Sequence, residues 1–157
     1  MYNFRKSKKG FTLIELMVVV AIIGVLALLG LRLYTGQQQK AKNAIVKANA
    51  GTIQTLIQAN MADMSTDFTD AANAVASVDI ESGIHNPYDG KTGADAVIAV
   101  STDLSAATVG SVPVASSGTL TAGMVCVSKD TSVTYKYYTW GVDQDKKLVG
   151  DLLTSQK

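Results

Sequence analysis

From Phe11 to Leu31 the chain runs through 21 positions that are apolar, glycine or threonine, with one exception, the carboxylate of Glu15. As a helix rising about 1.5 Å per residue, this run is roughly 31 Å long, the thickness of a bilayer's hydrocarbon core. Before it stand Arg5, Lys6, Lys8 and Lys9 with no acid among residues 1–10, which the positive-inside rule keeps cytoplasmic. After it the chain continues as LRLYTGQQQKAKNAIVKANAG, with no small-residue cleavage site of the secretory kind. The apolar segment is therefore expected to stay in the mature protein.

Beyond Leu31 the helical pattern continues in a different key. Ile45, Ala48, Ile53, Leu56, Ile57, Met61 and Met64 recur mostly at steps of three and four, which predicts one apolar stripe on an amphipathic helix. Lys40, Lys42, Lys47, Asn49 and Gln54 fall on the other faces. The helix is expected to end near Ser65, Thr66 and Asp67, followed by a short helix over about 69–78 with Thr69 as its N-cap. IHNPYDGKTG, residues 84–93, reads as a turn-rich loop. Strands are predicted over 96–100, 120–128, 132–142 and 147–149. VDQDKK reads as the hairpin between the last two. Val133, Tyr135, Tyr137 and Thr139 alternate with Thr134, Lys136, Tyr138 and Trp140, as in a sheet with one covered face. Residues 101–121 hold nine serines or threonines and read as a loop. The expected fold class is α+β: a long N-terminal helix, half membrane-spanning and half amphipathic, packed on a small antiparallel β-sheet.

Composition narrows the function. At 157 residues, with 47% hydrophobic and 17% charged, the chain suits one globular head beside the apolar segment. The net charge is +1, but without the basic leader 10 basic residues face 13 acidic ones. Nucleic acid is not indicated as a partner. Cys126 is the single cysteine, so no intrachain disulfide can form, and it reads as a small core residue.

Candidate chemistry is sparse. One histidine, His85, excludes a two-histidine metal site and sits in the turn-rich loop. Gly90-Lys91-Thr92 resembles the end of a phosphate-binding loop, but His85 stands where that motif needs glycine. Asp143 and Asp145 could meet a cation, yet Lys146 and Lys147 follow at once. Tyr135, Tyr137, Tyr138 and Trp140 could form a stacking platform, or simply a sheet core. No catalytic residue, metal or cofactor is expected.

The stretch Lys8-Lys9-Gly10-Phe11-Thr12-Leu13-Ile14-Glu15-Leu16 resembles the leader junction of type IV prepilins, and the likeness runs on through Met17 to Leu26. It covers about residues 5–31. The resemblance implies a leader over 1–10 cut after Gly10 by a membrane prepilin peptidase, and N-methylation of the new N-terminus, Phe11. It implies a transmembrane and filament-core half-helix over 11–36 and a globular head over 37–157. Glu15 is expected to act in assembly, pairing with the freed amine of Phe11 on a neighbouring subunit. The implied partners are other pilin subunits in a homopolymer, the peptidase, the assembly machinery of the inner membrane, and lipid before assembly. The implied location is the inner membrane, single-pass, and then an extracellular filament. Two departures stand out: Arg32 lies where many members carry a proline, and a lone Cys126 cannot form the C-terminal disulfide of many members. A pseudopilin of a type II secretion system shares this N-terminus and is the main alternative. A single-span, membrane-tethered binding domain is the second, and it predicts no special role for Glu15.

Overall fold

A computed structural model describes residues 10–63, 67, 68, 70–100, 120–130 and 132–157. The first element, α1, is one α-helix over Leu13–Asp63. It continues through Gly24, Gly30, Arg32 and Gly36. The chain divides into two compact units, one ending at Gln39 and one spanning Lys40–Lys157.

In the first unit every described residue is exposed. The helix there is long and apolar enough to cross a membrane. Its large hydrophobic side chains, from Phe11 to Leu33, touch no core of their own.

The second unit is sorted in the ordinary way. Its part of α1 buries Val46, Ala50, Ile53, Ile57 and Met61, spaced by three and four residues. Ile53, Ile57 and Met61 are the residues the periodicity predicts. Ile45 and Ala48 instead face outward, Leu56 is half-buried, and Met64 lies outside the described residues. The sheet decides this phase. A Cβ on Gly141 would come within 2.3 Å of Val46 Cγ1, so the helix approaches closely at Val46, where the strand has no side chain.

A second helix, α2, covers Ala71–Ser82. Asp70 caps it, its side chain accepting the Asn73 N–H at 2.9 Å, and Gly83 closes it in a left-handed turn. The predicted cap, Thr69, lies outside the described residues. The strands are β1 (Val97–Ala99), β2 (Val125–Lys129), β3 (Lys136–Val142) and β4 (Leu148–Gln156), hydrogen-bonded in the order β1-β2-β3-β4. The sheet is mixed, not antiparallel throughout: β1 pairs with β2 in parallel. A parallel pair needs a crossover, and the long connection after Ala99 supplies the length for one.

The last strand also runs further than its sequence suggests. Thr139 pairs with Leu153 and Gly141 with Val149, so β4 bulges, with Gly150 at a φ of +79° inside the bulge. Glycine and Asp151 hide the strand pattern from sequence reading. A further correction concerns the sheet's faces. Val97, Val125, Val127 and Tyr137 pack against α1 and α2, while Cys126, Tyr138, Trp140 and Val142 form a second core with Val100 and Leu120. Both faces are covered, because the segments that enter and leave the long connection fold over the far side.

Candidate functional site

The N-terminal start of α1 carries the residues singled out by sequence. Gly10 and Phe11 precede the helix and are exposed, Phe11 at 92%. Glu15 lies in the first helical turn. Its Oε2 accepts two hydrogen bonds from Thr12, one from the backbone N–H and one from the hydroxyl, each at 2.8 Å. The Thr12 Oγ in turn accepts the Glu15 N–H at 3.3 Å. This is a reciprocal capping box, which satisfies amide groups that the start of a helix otherwise leaves open. Thr12 was not among the predicted functional residues. Its signal was in the sequence: threonine, two residues, then glutamate, ahead of an apolar run.

The other candidates belong to the second unit. His85 is exposed and pairs through its backbone with Thr92, while its carbonyl accepts from the Asn49 side chain at 3.1 Å. Asn86, beside it, is buried and organises the loop. Its Nδ2 donates to the Ala122 carbonyl at 2.8 Å and its Oδ1 accepts the Tyr88 N–H at 2.9 Å. Tyr88 reaches back to α1, donating its hydroxyl to Asn43 Oδ1 at 2.8 Å. Asp143 spends its Oδ1 on the N–H groups of Asp145 and Lys147, each at 2.8 Å, which shapes the β3–β4 hairpin. Among the described residues no group of three or more histidine, cysteine or acidic side chains is placed to hold a metal. Cys126 is fully buried, and burial pushes its thiol up to about 12. Such a thiol is inert at neutral pH.

Tyr137, Tyr138 and Trp140 are not a platform but core. Two carboxylates that sequence reading passed over hold this end of the sheet. Asp67 takes the Tyr137 hydroxyl at 2.6 Å, the Tyr135 N–H at 3.1 Å and the Lys129 ammonium at 2.8 Å. Burial opposes its ionisation, but these three donors outweigh burial and hold the carboxyl below its ordinary range. Asp130 accepts from the Ser132 hydroxyl and N–H, from Lys136 and from Tyr138, and is held well below that range by these bonds, Ser132 foremost. Nothing in the local sequence marks Asp67, whose partners stand more than sixty positions away.

Residues 5–31 match the family model described as the prokaryotic N-terminal methylation motif. The chain is 46% identical over 56 residues to the fimbrial protein EcpB of Eikenella corrodens, an alignment covering 36% of this chain and 35% of that one. It is 31% identical over 100 residues to a type IV major fimbrial protein FimA of Dichelobacter nodosus, covering 54% of this chain and 64% of the relative. Against the type IV major pilin PilA of Myxococcus xanthus it is 36% identical over 73 residues, 46% of this chain and 33% of the relative. The chain thus spans from a third to under two-thirds of these relatives' lengths. No solved structure matches it. The relatives carry the names of fimbrial and pilin proteins. By its methylation motif and these likenesses together, the chain is recognised as a relative of the type IV pilins.

Proposed function

We propose that this chain is a structural subunit of a type IV pilus. A prepilin peptidase cuts it after Gly10, Phe11 is N-methylated, and the subunits polymerise into an extracellular filament. In this reading residues 1–10 are the leader, 11–36 the membrane and filament-core half-helix, and 37–157 the head. The observation that carries it is the exposed apolar half of α1, bearing one carboxylate four positions after the first residue of the processed chain. A surface that apolar needs either lipid or other subunits. Membrane lipid covers it first; copies of the chain, brought together by the assembly machinery of the inner membrane, cover it afterwards.

Glu15 supplies the register. A charged carboxylate costs about 2.5–3.5 kcal/mol at the centre of a bilayer, and less near the end where Glu15 lies. In the filament's low dielectric a matched amine relieves that cost, and the freed Phe11 amine of a neighbouring subunit is the matching group. Mass spectrometry of surface filaments tests the processing: the expected subunit begins at a methylated Phe11. Gly10→Val should retain the leader and yield no filaments. Glu15→Val should be cut and methylated as usual yet assemble few filaments, and abundant filaments of Glu15→Val alone would overturn the pairing.

A further inference from the structure

We infer that Thr12 is the positioning residue for Glu15 in assembly, an inference that rests on the pairing proposed above. The Glu15 carboxylate is not free to rotate at the start of α1. Its Oε2 is held twice by Thr12, through the N–H and the hydroxyl, both at 2.8 Å. The same hydroxyl accepts the Glu15 backbone N–H, so its proton goes to the Glu15 carboxylate and a lone pair to the Glu15 main chain. Oε1 has no hydrogen-bond partner among the described residues. The carboxylate is therefore divided: one oxygen is committed to its own helix, and the other is left open to a partner on an exposed side chain. Cleavage after Gly10 breaks the bond on the far side of Phe11, so the Thr12 N–H and hydroxyl both survive processing. The cap formed in the precursor persists in the mature subunit, and a partner's amine meets a carboxylate already fixed in direction.

The test is co-assembly. Full-length variants are produced beside the wild-type chain in cells that assemble it. The ratio of variant to wild-type N-terminal peptide is then measured by mass spectrometry in sheared filaments and in membranes. Thr12→Val keeps the shape and the N–H but removes the hydroxyl. It should be cut and methylated like wild type, yet enter filaments about fivefold less, the factor carried by loss of a capping side chain. Thr12→Ser, which restores the hydroxyl, should return to within about twofold of wild type on the same reckoning. Wild-type incorporation of Thr12→Val would overturn the inference, and so would failure of both variants, since the hydroxyl would then not be the active feature. Uncut Thr12→Val would also overturn it, by placing Thr12 in peptidase recognition. Free incorporation of Glu15→Val in the same assay would instead refute the pairing itself.

Discussion

Ile22 and Ile57 belong to one helix and meet opposite surroundings, 55% exposed in the first unit and 0% in the second. In the first unit no described side chain is buried, so its apolar residues contribute little to the monomer's own stability. In the second, α1 buries five side chains against a sheet and a second helix, and polar groups anchor the flanks: Gln54 donates to the Thr154 carbonyl at 2.9 Å. The difference teaches that one helical periodicity serves two solvents. All-round apolarity is what lipid or a bundle of copies requires, and a one-sided stripe is what a water-exposed head requires.

The strongest way to break this comparison is to make one chemical change in both halves. Ile57→Ala opens a hole in a closed core and should destabilise the head by about 2–5 kcal/mol. Ile22→Ala should move head stability by less than about 0.5 kcal/mol. Both are measured on the whole chain in detergent micelles, following the near-ultraviolet dichroism of buried Trp140 through a urea titration. Equal losses would mean that the first unit has a core of its own.

A smaller effect separates packing from charge. Asp67→Asn removes the ionic partner of Lys129 and weakens the bond from Tyr137. The expected loss is about 1.5–3 kcal/mol at neutral pH. Because the folded carboxyl is held below its ordinary range, the unfolded chain binds the proton more readily. Stability from Asp67 is therefore complete above the unfolded pKa of about 3.9 and drains away as pH falls through the lower folded value. The wild type should lose stability across that acid window, and Asp67→Asn should lose less there, leaving the slope due to Asp130. An unchanged acid slope would remove Asp67 from this role.

How far the sequence reached depends on the range of the interaction. The two helices, the hairpin at Asp143 and the Gly10–Glu15 segment rest on contacts within a few residues, and periodicity or motif finds those. The Asp67 clamp and the β1–β2 pairing join residues far apart in the chain, and nothing nearby announces them. The second core escaped for a related reason: Tyr138 and Trp140 read as an outer face until Val100 and Leu120 are brought over them. The capping box of Thr12 and Glu15 is local as well, a threonine three positions before a glutamate at the head of an apolar run.

The phase of α1 in the head gives the finest test of the comparison, since it sets one helix face against the next. Leu56 is half-buried beside the core, so Leu56→Ala should cost about 1–2 kcal/mol, roughly half the toll of a closed site. Ile45 lies on the neighbouring surface and is 48% exposed, although its spacing to Ile53 and Leu56 places it in the stripe. Two adjacent β-branched residues, Ile45 and Val46, offer the helix two possible phases, and Gly141 settles the matter by admitting Val46. Ile45→Ala therefore removes little buried surface. It also replaces a β-branched residue by the best helix former, which returns a few tenths of a kcal/mol. The two terms nearly cancel, and the urea midpoint should stay within about 0.5 kcal/mol of wild type. A loss above about 2 kcal/mol would show Ile45 in the core and turn this half of α1 by most of a residue.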